Sequence, residues 1–198
     1  MSDRSLIIDR FLADSGWGDA VRDPLAGDAS FRRYIRLRRG DQGAMLMDAP
    51  PPQEDVRPFL RIARLLHGMG FSAPDVLAAD EAAGLLLLED LGDETYTRVL
   101  GAGGDETALY ALATDALIDL HRRCDPSMLT GIPAYDDQRL LDEVALLVDW
   151  YLPAIRGEAT DPRLRADYLS LCRDTVDVAR PSPATLVPPD YLSLTTIS

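Results

Sequence analysis

Apolar positions recur with two different periods along this chain, and the change from one to the other falls near residue 92. Leu6, Ile7, Phe11 and Leu12 stand at i, i+1, i+5 and i+6, which predicts a short helix over 5–13. A loop at Ser15-Gly16-Trp17-Gly18 follows, then an extended stretch ending in Pro24-Leu25-Ala26. Gly27-Asp28-Ala29-Ser30 has the composition of a turn. From Phe31 to Leu37 the period is two: Phe31, Arg33, Ile35 and Leu37 alternate with Arg32, Tyr34 and Arg36, which predicts a strand. Gly40–Gly43 makes a hairpin turn and Ala44–Asp48 its partner strand. Pro50–Pro52 close that hairpin, and residues 53–68 predict a helix with Val56, Phe59, Leu60, Ile62, Ala63 and Leu66 on one side. Gly68 and Gly70 stop it. Pro74–Ala78 and Gly84–Asp90 read as two further strands, and the unbroken run Leu85–Leu88 predicts a strand buried on both faces.

Beyond Gly92 only helical patterns remain, over about Glu94–Leu100, Glu106–Arg123, Asp137–Leu152 and Asp161–Val178. The fold class is therefore α+β. An antiparallel sheet lobe with a helix occupies residues 1–90, and an incomplete, mainly helical lobe occupies 91–198, joined at Glu89–Gly92. This is the plan of a bilobal, protein-kinase-like fold, in which a nucleotide lies between a sheet lobe and a helical lobe.

Composition narrows the function. A hydrophobic fraction of 46% with 27% charged residues is that of a folded soluble domain. Acids outnumber basic residues 33 to 20, and the net charge of -13 repels phosphate backbones and anionic lipid, which argues against nucleic-acid and membrane-surface roles. No lysine occurs, so every basic residue is an arginine. The N-terminus lacks a signal-peptide apolar run, no stretch is long enough to span a bilayer, and Cys124 and Cys172 lack metal-ligand spacing. These features point to a cytoplasmic protein with free thiols. Nothing in the sequence sets an oligomeric state.

LAGDASFRRYIRL (25–37), AMLMDAPP (44–51), GLLLLEDLGDETY (84–96) and DLHRR (119–123), in this order, resemble the aminoglycoside phosphotransferase-like family. The similarity runs from about Leu6 to Val187. The branch concerned phosphorylates sugars and includes anomeric kinases of N-acetylmuramate and N-acetylglucosamine, enzymes of peptidoglycan recycling. The resemblance implies ATP as cosubstrate, Mg²⁺ as the parent family's metal, and a small sugar as substrate.

Residue roles follow from it. Gly27, Asp28 and Ser30 would let backbone N–H groups approach phosphate oxygens, although a plain hairpin turn fits the same residues. There is no Walker-type G-x-x-x-x-G-K-[ST] sequence. A kinase usually places a lysine on its third strand. Here Arg32, Arg33 or Arg36 would supply the charge, with Arg33 of inward parity and Glu54, at the head of the next helix, as its ion-pair partner. Arg33 snorkelling past the sheet edge and Glu54 as a first-turn acid account for the same residues. The carbonyl of Glu89 and the N–H of Leu91 would meet adenine edge-on at a hinge. Tyr135, Asp136, Asp142 and Glu143, within PAYDDQRLLDEVALLVDWYLPA (133–154), would accept hydrogen bonds from sugar hydroxyls. Surface solvation explains those acids equally well.

Two sequences imitate motifs. Gly101–Gly104 is a loop between helices, and His121-Arg122-Arg123 closes a helix without the Asp of a catalytic loop. The family's catalytic loop follows a short strand and reads His-x-Asp-x-x-x-x-Asn. Thr185-Leu186-Val187 stands where that strand would be, and Asp190 where the catalytic base would be. Pro188 replaces the His, Thr195 stands where the Asn is due, and no metal-binding Asp follows. The expectation is thus a family-level ATP:sugar phosphotransferase whose metal site is missing from this chain and which is catalytically incomplete as it stands. The alternative is a non-catalytic nucleotide- or partner-binding remnant of the fold.

Overall fold

The structure, a computed structural model, describes residues 3–26, 31–179 and 185–187. Five antiparallel strands form one sheet in the order β1-β2-β3-β5-β4: β1 (Val21–Pro24), β2 (Arg33–Arg39), β3 (Gln42–Asp48), β4 (Val76–Asp80) and β5 (Leu85–Leu88). β2 and β3 form the hairpin that the Gly40–Gly43 turn predicts, with Arg33 opposite Asp48 and Arg39 opposite Gln42. The strand begins at Arg33 rather than Phe31, whose side chain is exposed and has no face of the sheet to cover.

Both faces of the sheet are sheltered. On one side α1 (Asp3–Asp14) sets Ile8 and Leu12, with Trp17, against Leu37, Leu46, Leu85 and Leu87. On the other, α2 (Arg57–Gly68) sets Leu60, with Val56, against Met47, Leu86 and Leu88. Successive strand side chains point to opposite faces, so a strand covered on both sides must be apolar throughout. All of Leu85–Leu88 are buried.

α2 starts at Arg57, later than the expected Gln53, and Glu54 therefore lies in the loop ahead of it. A helix begun at Gln53 would carry Pro58 into its second turn, where the ring meets a carbonyl and an N–H is needed. Starting at Arg57 keeps Pro58 within the first turn.

Every strand among the described residues lies in 21–88. After it come α3 (Tyr96–Gly101), α4 (Glu106–Arg123), α5 (Asp137–Leu146), α6 (Leu152–Arg156) and α7 (Pro162–Ala179). The expected helix over 137–152 is interrupted by a π turn at Leu147–Tyr151. Pro153 supplies the reason: it has no N–H to return to the carbonyl of Asp149, and the widened turn precedes it. Gly157, in the left-handed region at φ 72, ends α6. Thr185–Val187, expected as a short strand, is in no strand among the described residues, although Leu186 is buried.

Contacts divide the chain into two compact units, one running to Ala116 and the next starting at Leu117, so the boundary falls inside α4. The first unit holds the sheet, α1, α2 and α3. In the second, α5 packs on α7, and Asp149 of the π turn accepts from Arg165 of α7 at 2.6 and 2.8 Å.

Candidate functional site

The expected site residues divide between the two units. In the first, β2 and the residue before it place Arg32, Arg33 and Arg36 in three different ion-pair groups. Arg32 donates to Glu54 at 2.8 Å, and Glu54 also accepts from the Phe31 N–H at 3.2 Å. Burial is the largest single influence on Arg32 and opposes its charge, yet the hydrogen bond and charge of Glu54, together with Tyr34, outweigh it and hold the guanidinium above its ordinary range. Arg33 lies on the opposite face, where it donates to Asp48 at 2.6 Å. Glu54 thus pairs with Arg32 and not with Arg33. Apolar parity could not separate these two, because both faces of the sheet are covered.

Asp48 is a fully buried carboxylate at the end of β3. Its second oxygen accepts from Arg4 of α1 at 2.9 Å (Nε) and 2.5 Å (Nη2), and Arg4 also donates to the carbonyl of Ala83 at 2.6 Å. One acid therefore ties α1, β2 and β3 together, with hydrogen bonds from both arginines satisfying its charge. The sequence showed it only as an acid ending an apolar strand.

The third arginine, Arg36, reaches the segment after β5. Its Nε lies 2.7 Å from Asp90, and its Nη1 and Nη2 each donate to Asp93 at 2.8 Å. The Asp93 hydrogen bond is the largest cause holding Arg36 far above its ordinary range, and it holds the Asp93 carboxyl below the usual carboxylate range. Within this segment the Glu89 N–H donates to the Asp75 carbonyl at 2.8 Å, and the Glu89 side chain accepts from the Asp75 N–H at 3.2 Å. Glu89 and Leu91 line a recess of about 320 Å³ with His67, Gly70, Phe71 and Ser72.

In the second unit, Tyr135, Asp136 and Asp142 line one cavity of about 360 Å³ with Pro133, Gln138 and Arg139. Asp136 is the N-cap of α5 and accepts from the Arg139 N–H at 3.0 Å, which fixes the mouth of the cavity to the helix start. Asp142 accepts from Gln138 at 2.7 Å one turn earlier on the same helix. Glu143 accepts from the hydroxyl of Tyr135. The four residues expected to contact sugar are thus brought together. The carboxylates and hydroxyl around one cavity can donate to and accept from a polyhydroxylated ligand.

Gly27, Asp28, Ser30 and Asp190 lie outside the described residues. Among the described residues, no group of three or more His, Cys, Asp or Glu side chains could hold a metal ion. Nor is any described helix long and apolar enough to cross a membrane.

Comparison with known proteins bears on both halves. The chain is 41% identical over 191 residues to the N-acetylmuramate/N-acetylglucosamine kinase of Pseudomonas aeruginosa, covering 95% of this chain and 55% of that protein. It is 36% identical over 200 residues to the kinase of the same name in Caulobacter vibrioides, covering 84% of this chain and 55% of the relative. A third of that name, from Pseudomonas putida, is 36% identical over 182 residues, covering 90% and 52%. The chain spans about half the length of the curated relatives it matches. The pattern of the phosphotransferase enzyme family matches residues 21–187, from the first strand of the sheet through α7, and this chain belongs to that family.

Proposed function

We propose that this chain is the nucleotide- and sugar-binding front of a cytoplasmic ATP-dependent phosphotransferase acting on an amino sugar, N-acetylmuramate or N-acetylglucosamine. The observation that carries the reading is identity of 36 to 41% to kinases of that name along 84 to 95% of this chain. The cavity at the start of α5 supports it, since Tyr135, Asp136 and Asp142 line one space, with Glu143 bonded to Tyr135. Adenine would lie along Glu89–Leu91, in the segment that follows β5. Phosphates would lie near Gly27–Ser30, with Arg32 and its partner Glu54 at the base of that turn. In the reaction, the bond between the γ-phosphorus and the bridging oxygen of ATP breaks, and ADP leaves. A new bond forms to a sugar hydroxyl, whose proton passes to a carboxylate, for which Asp190 is the candidate. The parent family's Mg²⁺ would neutralise charge on the phosphates. Among the described residues no group of His, Cys, Asp or Glu offers a donor set that fits it.

Calorimetric titration of the folded chain with N-acetylglucosamine and with adenosine tests the proposal. Both are expected to bind, at separate sites and without competition. Asp142→Ala should weaken the sugar alone. Loss of adenosine affinity in that variant, or indifference of the protein to both ligands, would overturn it.

A further inference from the structure

The backbone groups expected to meet adenine sit between two anchors of different kinds. On the upstream side, Glu89 is tied to Asp75, the residue before β4, through both its N–H and its carboxylate. On the downstream side nothing from the sheet backbone holds residues 90–93 among the described residues. They are held by side chains instead, chiefly that of Arg36, with Arg98 of α3 also lying 3.6 Å from the Asp93 carboxylate.

Arg36 uses both edges of its guanidinium. On one edge Nη2 donates to the Asp90 carboxylate at 3.0 Å, with Nε 2.7 Å from that carboxylate but without a hydrogen bond, and on the other edge Nη1 and Nη2 donate to Asp93 at 2.8 and 2.8 Å. Nη2 also points at the Gly92 carbonyl, at 3.4 Å. Asp90 in turn accepts from the Gly92 N–H at 3.0 Å, and Gly92 turns the chain at φ 78. The Arg36 side chain is only 11% exposed, so the fork is shielded along most of its length. A planar fork that engages two carboxylates fixes orientation as well as distance, which a flexible ammonium does not. Leu91 lies between the two acids that the fork grips. Among the described residues no backbone hydrogen bond occupies its N–H or the Glu89 carbonyl.

We propose that Arg36, with Asp90 and Asp93, is a positioning residue that sets the Leu91 N–H and Glu89 carbonyl in the orientation that reads an adenine edge, and so determines base selectivity. The proposal rests on the nucleotide reading above. Arg36 touches no substrate. It acts by keeping the Leu91 amide from swinging, so that the free protein presents the donor ready-made.

The test compares the wild-type chain with Arg36→Lys and with Asp93→Asn. The second removes half of the fork at a half-exposed position and leaves the core intact. Adenosine and guanosine affinities are measured by calorimetry, and the mobility of the Leu91 amide is followed by 15N relaxation NMR. Both variants should remain folded, bind adenosine roughly tenfold more weakly and lose most of the preference over guanosine, the loss expected for one misaligned hydrogen bond. The Leu91 amide should become more mobile, with a lower order parameter, while the amides of β5 stay rigid. If the wild type does not bind adenosine, the nucleotide reading fails and the proposal with it. If the wild type binds adenosine selectively and Asp93→Asn, folded, keeps the same selectivity and the same Leu91 mobility, the positioning role of Arg36 alone is overturned.

Discussion

At the scale of the residue, the same side-chain type does different work on one strand because each arginine meets a different acid. Asp48 is the most constrained of these acids. Buried charge is tolerated only when paired and hydrogen-bonded, and here two guanidinia supply the bonds. Asp48→Asn keeps the volume but leaves Arg4 facing a neutral amide, and should cost about 2–3 kcal/mol in urea denaturation, below the usual penalty for splitting a buried pair because Arg4 and Arg33 retain contact with water. Arg33→Gln should cost less than about 1 kcal/mol, since that side chain is 61% exposed. Equal effects from the two would mean that Asp48 is not held as described. A titration gives a second check. Asp93 is held below the ordinary carboxylate range, chiefly by the hydrogen bond from Arg36. A depressed folded-state value means a contribution present above the unfolded carboxylate value and lost as pH falls through the folded one. The Leu91 amide should therefore keep its order parameter in 15N relaxation from neutral pH down to the carboxylate range and loosen only below it. Loosening near pH 6 would point to another group.

At the scale of the element, β5 shows where a tight approach meets a doubly covered strand. Gly84 precedes it at φ 66, and a Cβ there would lie 2.1 Å from the Ala49 carbonyl oxygen, which sits beside the Ala49 N–H that Gly84 itself accepts. Gly84→Ala combines a left-handed backbone with a clash and should destabilise by about 3 kcal/mol or more. Leu86→Ala, which empties one face only, should cost about 2–5 kcal/mol. A Gly84→Ala protein as stable as wild type would show that the turn has room to move. These two neighbours also mark what sequence could and could not reveal. Four leucines in a row are legible as a strand buried on both faces, because no other placement hides all four. The hairpin and the helix over α2 were legible for similar reasons of period and turn chemistry. The start of α2 and the π turn before Pro153 were not, since both depend on where a single proline can find a carbonyl to avoid. The arginine pairings were illegible too: parity names the face of a strand, but only the register of β2 on β3 puts Arg33 opposite Asp48. The residues lining the cavity at α5 are neighbours because Asp136 caps the helix that carries Asp142, which spacing alone does not show.

At the scale of the whole molecule, charge sets how ligands of different sign approach. The chain carries 33 acids against 20 basic residues, and several of the arginines nearest the expected nucleotide groups are already spent on acids: Arg32 on Glu54, Arg33 on Asp48, Arg36 on Asp90 and Asp93. A polyanion such as ATP then meets a field of net charge -13 with little unpaired positive charge to offset it, whereas adenosine, being neutral, meets none. Added salt screens that field, since the Debye length shrinks from about 30 Å at 0.01 M to about 8 Å at 0.15 M. Raising the salt over this range without magnesium should therefore strengthen ATP binding by roughly two- to fivefold and leave adenosine unchanged. The opposite sign is just as readable. If Gly27–Ser30 and Arg32 build a concentrated phosphate site, salt will weaken ATP while sparing adenosine, as it does wherever local cations dominate. Calorimetry of the two ligands at both salt concentrations decides between a protein that tolerates the phosphates and one that grips them, and ATP affinity falling steeply with salt would sink the first description.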